Sequence, residues 1–339
     1  MESFFSLIDL IKDFKKFLVF KKNESKYDYI FFNENNYTFQ YLKKIAEKKN
    51  KNKNILILSY EKINDCPYNQ LNFKKDFFYT LVFLTLKIKF IYTTSTDLQN
   101  SIFQKSKVKK NFYIYIQHST TGLSMIYNKK AFLEFDAVQV INKSQYNDLT
   151  DINKIYKKNI KAVISNYKFL ETIPKNNSLE SIDFLIAPTW HTDFYKLNIH
   201  KKIFDLLIKN NITFEFRPHY MSLKKNELYI EHRFSNFLNM ENSLNFKKYK
   251  YLITDWSGIF LEFALINKTK PFLINTKKKV LNEDYKKFSN VPIEISSRKK
   301  VAHEIEIFEL EKILNLINEN KTNEDENTIT EFYRNNFYL

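Results

Sequence analysis

The sequence predicts an α/β fold of two domains, each a parallel sheet covered by helices, facing one another across a cleft. Three observations predict it. Apolar runs of strand length alternate with amphipathic stretches, and continuous apolar strands separated by helices belong to parallel sheets buried on both faces. The alternation halts at a polar stretch, Glu171 to Ser181, which holds Pro174 and Asn176-Asn177 and reads as a linker; beyond it the pattern restarts. The 339 residues also suffice for two domains, at about 150 residues each.

The elements follow in order. From Met1 to Lys22, Phe4, Leu7, Ile8, Ile11, Phe14 and Leu18 recur at helical spacing. Asp9, Lys12, Asp13, Lys15 and Lys16 interrupt them, which excludes an ordinary signal peptide. The segment reads as a helix packed on its domain in preference to one lying on a membrane. Strands are expected at Tyr29 to Phe32, Ile55 to Tyr60, Phe90 to Thr93 and Phe112 to Ile116, then, after a short helix, at Ala137 to Ile141. Helices are expected at Tyr41 to Lys48, at Phe77 to Leu86 and from about Ser144. Past the linker, strands are expected at Ile182 to Ala187, Ile212 to Phe216, Tyr251 to Ile253 and Pro271 to Ile274. Helices are expected at Leu197 to Lys209, Gly258 to Ile266 and Val301 to Ile317. The boundaries are an N-terminal domain over 1–168, a second domain over 180–320 and a helical tail over 321–339.

Composition bounds the rest. A hydrophobic fraction of 44%, with 33 Phe and 22 Tyr, supplies two cores. A net charge of +16 favours anionic partners: phosphorylated substrates, acidic lipid headgroups or nucleic acid. No RNP motif, zinc finger or arginine-rich tract is present, so nucleic acid is not an expected partner. The single cysteine, Cys66, excludes an intramolecular disulfide and fits a reducing compartment. No uninterrupted run of about 18 apolar residues occurs, so no membrane span is expected. The expected location is cytoplasmic, with a peripheral association at the inner face of the plasma membrane.

Only two glycines occur, where average usage would give roughly two dozen. Each closes a hydroxyl-rich knot after an expected strand: His118-Ser119-Thr120-Thr121-Gly122 and Thr254-Asp255-Trp256-Ser257-Gly258. Glycine permits positive φ and close approach to the backbone. Strand, hydroxyl-rich loop and helix in succession are the usual layout of an anion site in α/β proteins. Two further clusters sit just past expected strands, Pro188-Thr189-Trp190-His191 and Arg217-Pro218-His219. Singly, each has a plain structural explanation; Thr254 or Asp255 alone would be a helix N-cap. Four at one relative position in an alternating pattern converge on one cleft, given the expected fold. His200, His232 and His303 fall on expected helices and read as surface or packing residues.

These residues carry a family resemblance. Ala187-Pro188-Thr189-Trp190, Arg217-Pro218-His219, Thr254-Asp255-Trp256-Ser257-Gly258, Leu261-Glu262-Phe263-Ala264 and Lys270-Pro271 follow the order and spacing of motifs in the CDP-glycerol glycerophosphotransferases. Those enzymes build teichoic acid and related polyol-phosphate polymers. The match runs over about Phe112 to Asn275, roughly half of the chain. Departures are Ser119 where the family usually has Gly, His191 after Trp190, Tyr220 after His219, and Gly258 in place of a second Ser. The resemblance implies the two-Rossmann-domain GT-B architecture, with an acceptor-side first domain and a donor-binding second domain. It implies His118 as the base that takes the acceptor proton, with Ser119, Thr120, Thr121 and Gly122 on the acceptor side. It implies His219 as a pyrophosphate-binding histidine.

The residue chemistry suits phosphoryl transfer. Arg217, His219, Thr254, Ser257 and Gly258 are expected to hold the donor phosphates as one anion site, beside a helix N-terminus, with His219 also catalytic in that it and Arg217 neutralise charge growing on the leaving CMP phosphate. Thr189 and Glu262 are candidates for the nucleotide and its ribose. No Asp-x-Asp motif, P-loop or His/Cys ligand spacing occurs, so no cofactor is expected and metal is not obligatory. The expected function is transfer of glycerol phosphate, or a similar polyol phosphate, from a CDP-linked donor to a glycan or lipid-linked acceptor, with release of CMP. The alternatives are a GT-B glycosyltransferase using a nucleotide sugar, a sugar-nucleotide epimerase, and a basic module binding nucleic acid or anionic membrane.

Overall fold

The computed structural model describes residues 2–34, 36–51, 53–64, 66–167, 181–225, 228, 231–241, 244–318 and 323–338. The expected linker and both domain boundaries around it, Ser181 apart, lie outside the described residues. The chain divides into two compact units: Met1–His118, Asn128–Ile141 and Leu149–Thr172 in the first, Ser119–Tyr127, Asn142–Asp148 and Ile173–Leu339 in the second.

The first unit is built on β1 (Tyr29–Asn33), β2 (Ile55–Ser59), β3 (Asn69–Leu71), β4 (Phe90–Thr93), β5 (Phe112–Tyr115), β6 (Ala137–Val140) and β7 (Lys161–Ile164). They form one seven-stranded parallel sheet in the order 3-2-1-4-5-6-7, the arrangement of dinucleotide-binding Rossmann domains extended by one strand. Its helices are α1 (Glu2–Asn23), α2 (Asn36–Asn50) and α3 (Asp76–Thr85), and α4 (Lys143–Ile155) belongs to it from Leu149 on, its first residues falling in the second unit. Every residue of β2 is buried. Aromatic rings fill the layers: Phe31 stacks on Tyr92 at 4.9 Å, and Phe32 meets Phe83 and Phe103 at 5.0 and 5.1 Å. The edge strand β7 is exposed throughout, which explains why no apolar run announced it.

The second unit carries β8 (Ile182–Ile186), β9 (Phe214–Phe216), β10 (Tyr249–Thr254), β11 (Phe272–Ile274) and β12 (His303–Ile305) in a five-stranded parallel sheet ordered β12-β11-β10-β8-β9. Counted within the unit, that is 2-1-3-4-5, the other common doubly wound order. The helices are α5 (Ile199–Lys209), α6 (Tyr220–Lys224), α7 (Ile259–Asn267), α8 (Ile293–Ser296), α9 (Arg298–Val301), α10 (Lys312–Asn318) and α11 (Asn323–Asn336). The expected class, α/β with two Rossmann-like units on parallel sheets, is therefore the one observed.

Four local expectations are corrected. The short helix between Ile116 and Ala137 is absent; the segment runs through turns and bends, with Leu123 and Met125 fully buried. The long helix at Val301 to Ile317 is instead the end of α9, strand β12 and α10. Ile305 pairs beside Ile274 and is buried while His303 and Glu304 are only partly so, and that edge pairing overrides helix propensity. The C-terminal helix is no separate tail, because Tyr333 on α11 is fully buried and donates to the Leu261 carbonyl of α7. Finally, α1 does not pack through its apolar stripe. It is held by Phe20, by Phe17 against Phe78 at 6.2 Å, and by the buried Asp13 carboxylate, which accepts the Lys74 and Lys75 N–H groups ahead of α3.

Neither glycine has positive φ. Left-handed backbone falls instead on Asp97, Gln99, Lys157, His191, Asn198, Asn211 and Lys268. Three of these end helices. The Lys158 N–H bonds Asn153 O beyond α4, the Ile212 N–H bonds Leu207 O beyond α5, and the Lys268 N–H bonds Ala264 O beyond α7. Those are left-handed caps with Lys157, Asn211 and Lys268 where glycine is usual.

Candidate functional site

In open α/β sheets, ligands bind at the carboxyl ends of the strands, where the strand order reverses. In the second unit that point lies between β8 and β10, and the loops leaving those strands carry Thr189-Trp190 and Thr254 to Gly258.

The β10–α7 loop is fixed from all sides. The Thr254 hydroxyl donates to Ala187 O at 2.6 Å and is fully buried, tying β10 to β8. Its only proton is committed there, so Thr254 is not the phosphate donor the sequence suggested. Nor is Asp255 a helix cap. Gly258 occupies the N-cap of α7, while the fully buried Asp255 carboxylate accepts the Thr189 N–H and the Thr192 hydroxyl, each at 2.8 Å. Burial pushes its pKa up, and these hydrogen bonds and the Lys279 ammonium work against that rise. The Trp256 indole donates to Thr276 O at 2.9 Å, and the Arg298 guanidinium lies 4.1 Å from its ring centre. Arg298, itself 2% exposed, donates to Asp255 O and to Asn275 Oδ1. Ser257 is the half-buried hydroxyl of the loop, at the start of α7.

The first knot packs into this loop. The Thr120 hydroxyl donates to Gly258 O at 2.9 Å. A Cβ on Gly258 would lie 2.5 Å from Ser119 Oγ and 2.7 Å from Thr121 Cγ2. Any side chain at 258 would have to push Ser119 or Thr121 aside, so glycine is favoured here by close approach and not by backbone conformation, and what approaches is the other knot. The knot is held in turn by the first residues of α4 and the residue before it. Asn142 Nδ2 donates to Thr120 O at 2.9 Å, and Gln145 Nε2 to Thr121 O at 2.7 Å. The Gly122 N–H donates to Glu294 Oε2 at 3.0 Å and the Leu123 N–H to Asp148 Oδ2 at 2.7 Å. Burial, with the Glu294 charge adding to it, raises Asp148 to about 7, and burial raises Glu294 as well. No helix follows this knot, so the strand–loop–helix layout holds only for the second one.

Around the loop after β8, Trp190 lies between two ammonium groups, Lys225 at 4.4 Å and the buried Lys279 at 4.5 Å from its ring centre. Lys279 also reaches Thr189 Oγ1 at 3.2 Å, so the Thr189 hydroxyl meets protein on that side. His191 is exposed, with φ of 64°. After β9, Arg217 Nη1 donates to Asn239 Oδ1 and to Glu241 O. His219 caps α6, its Nδ1 accepting the Met221 N–H at 3.1 Å. In the neutral ring the proton then sits on Nε2, so Nε2 is the donor nitrogen of that ring. Arg217 and Ser257 follow strands on either side of β8, so their backbones leave one sheet edge about 10 Å apart. Glu262, expected near the ribose, is 5% exposed on α7, where its charge bears on the buried Tyr333.

His118 is the last residue of the first stretch of the first unit and precedes Ser119 directly. It is half-buried, edge-on to Tyr41 and Tyr115, and its Nδ1 lies 2.8 Å from the Tyr115 hydroxyl. A ring donating Nδ1–H to that oxygen presents the Nε2 lone pair as a base.

Sequence reading missed Lys279, Arg298, Asn142, Gln145, Asp148 and Glu294. Arg298 alone left a trace: the chain has four arginines among its 54 basic residues, and two of them, Arg217 and Arg298, are here. His200, read as a surface or packing residue, is a core residue among Tyr195, Phe204 and Phe216, and burial lowers it to about 4. Among the described residues no group of three or more His, Cys, Asp or Glu side chains is placed to hold a metal ion.

No protein-family model and no curated protein matches the chain. Solved structures do. The wall teichoic acid polymerase TagF is similar at 16% identity over 79% of this chain and 78% of that one, with a TM-score of 0.48. A TagF variant soaked with CDPG is similar at 16% identity over 78% of each chain, with a TM-score of 0.45. A protein assigned as a UDP-N-acetylglucosamine 2-epimerase from Listeria monocytogenes is similar at 10% identity over 90% of each chain, with a TM-score of 0.49.

Proposed function

We propose that this chain is a transferase that moves glycerol phosphate, or a similar polyol phosphate, from a CDP-linked donor to a hydroxyl of a glycan or lipid-linked acceptor. The acceptor oxygen attacks the phosphorus carrying the polyol, the bond from that phosphorus to the CMP oxygen breaks, and CMP leaves. The acceptor proton passes to His118 Nε2. The start of α7, with Ser257, holds one donor phosphate. His219 Nε2–H and the Arg217 guanidinium neutralise charge growing on the departing CMP. The observation that carries the reading is the mutual packing of the two hydroxyl-rich knots at the reversal point of the second sheet, where Thr120 and Ser119 meet Gly258. The motif order supports the choice of donor.

A thermal-shift comparison of nucleotides tests it. CMP and CDP-glycerol should raise the melting temperature where UDP and UDP-sugars do not, and CDP-glycerol with an acceptor should release CMP. Selective stabilisation by UDP would replace the reading with a nucleotide-sugar glycosyltransferase. Stabilisation by none of them would leave no donor-dependent enzyme.

A further inference from the structure

At the end of β9 a buried amide joins two opposite charges. Phe214 and Phe216 are buried in the core of the second unit, so strand alternation turns Glu215 and Arg217 to the other face, about 7 Å apart along the chain. The Arg217 N–H bonds Ile186 O, which continues the pairing with β8 as far as Arg217. Asn239, 6% exposed, stands between the two charges. Its Oδ1 accepts Arg217 Nη1–H at 3.2 Å and the Glu241 N–H at 3.0 Å. Its Nδ2 donates to Glu215 Oε2 at 2.6 Å and to the Tyr249 hydroxyl at 2.9 Å. The amide is used at all four positions and its orientation is forced, because turned over its Nδ2 would face two donors.

Both ends of this chain are anchored. Glu215 also accepts the Tyr249 hydroxyl and the Lys248 ammonium. Burial raises its carboxyl, but the hydrogen bonds from Lys248, Tyr249 and Asn239 together bring it below the usual carboxylate range, so it carries its charge. The Asn239 N–H bonds Phe216 O at 2.8 Å, beside the bridge between Phe216 and Leu238, so the backbone sets the amide as well. Arg217 Nη1 gives a second hydrogen bond to Glu241 O at 2.8 Å. Both Nη1 hydrogens are then held by acceptors, and a planar guanidinium fixed at one nitrogen has the direction of the others fixed with it. We propose that Asn239 is a positioning residue, which couples the Glu215 charge to Arg217 and sets the plane in which the guanidinium meets the phosphate of the departing CMP. This rests on the transferase reading above and adds to it the residue that aims its arginine.

The test combines kinetics with a spectroscopic signature. With CDP-glycerol and an acceptor, Asn239→Ala should lower kcat by roughly tenfold to a hundredfold, the cost of a misplaced group at the reacting centre. The KM for the donor should change little, because Arg217 acts on charge that grows only as CMP leaves. In an Arg217→Ala background the same substitution should change kcat by less than about twofold, since no guanidinium is left to aim. Glu215→Gln keeps the shape of the network and should lower kcat by about threefold; it carries the test if Asn239→Ala does not fold. The second readout needs no substrate. The chain has four arginines, so nitrogen-15 arginine spectra are simple, and Arg217 is identified by its loss in Arg217→Ala. Its two Nη signals should be separate in the wild type and averaged in Asn239→Ala. Equal losses of kcat from Asn239→Ala with and without Arg217 would overturn the inference and leave a packing role. Arg217 signals unchanged by Asn239→Ala would overturn it too. If the wild type releases no CMP, the transferase reading fails, and the Arg217 signals alone decide whether Asn239 holds the guanidinium.

Discussion

The two glycines of this chain stand at similar places in sequence and are needed for different neighbours. Gly258 is pressed by hydroxyl and methyl groups of the first knot, Ser119 Oγ and Thr121 Cγ2. Gly122 is pressed by two buried carboxylates, with Asp148 Oδ2 2.8 Å and Glu294 Oε2 3.3 Å from where its Cβ would lie. One knot is therefore met by uncharged hydroxyl and methyl groups at the N-terminus of a helix. The other has its backbone N–H groups taken up by acidic side chains, a setting that holds a loop and repels an anion. Sequences that look alike are separated by what packs on them: in the proposed reaction the second knot takes the donor phosphate, and the first is the clamp that shapes it.

The largest expected effect sharpens this division. His118→Ala should leave CMP binding nearly unchanged and lower turnover with CDP-glycerol and an acceptor by roughly 10²–10⁴-fold. His219→Ala should weaken binding and turnover together. Steady-state kinetics with nucleotide titration separate the two, and normal turnover in His118→Ala would remove the base assignment.

Next is Gly258→Ala. The added methyl forces Ser119 or Thr121 aside and should cost on the order of tenfold in nucleotide affinity, the shift to be read by calorimetry. Ser119→Gly in the same chain should restore part of it, because the two residues compete for one space. If Gly258→Ala binds as well as the wild type, the knots do not shape a binding site.

Gly122→Ala should act on stability instead. Crowding a buried carboxylate pair should cost about 1–3 kcal/mol in denaturant unfolding, with affinity per folded molecule little altered. A loss of affinity without a loss of stability would erase the contrast.

The smallest effect is pH dependence. Asp148 is raised from 3.8 to about 7, so the folded state holds its proton more tightly than the unfolded state does. Its contribution to stability is present at low pH, falls as pH climbs through that interval, and is flat above about 7. Asp148→Asn cannot titrate. The difference in melting temperature between wild type and variant should therefore change between pH about 5 and about 8, in favour of the variant at the higher value. The baseline shifts as well, since the amide has one acceptor fewer for the Leu123 N–H and Asn290. A constant difference would mean that Asp148 does not titrate there.

What could be read in advance follows physical lines. Strands β1, β2, β4 and β11 are almost wholly buried and so appear as apolar runs. Motifs that follow a strand at once, such as Thr254 to Gly258, are placed by local chain order, and their common edge was legible. Lys279, Arg298, Asn142 and Gln145 were not, because their roles depend on which distant segments meet. Arg298 sits beside Lys299 and Lys300 and reads as a solvated basic run, yet it is buried against Trp256. Thr254 was read by residue type as a free donor, and only the register of β10 on β8 shows the carbonyl that takes its proton. In α1 the stripe was legible but its direction was not, since one buried aspartate sets the helix rotation.

The left-handed caps at Lys157, Asn211 and Lys268 have a thermodynamic consequence. Each holds a side chain where glycine would fit without crowding, at a cost of roughly 1 kcal/mol that glycine's greater freedom in the unfolded chain only partly offsets. The three ends are distant from one another in sequence and close different helices, so their costs add nearly independently. The fold therefore sits below the stability its own backbone could reach, by an amount set by amino-acid usage and not by the demands of the site. Glycine is kept at the two positions where two loops meet and surrendered at the helix ends, which ranks close packing of those loops above the stability of any single helix.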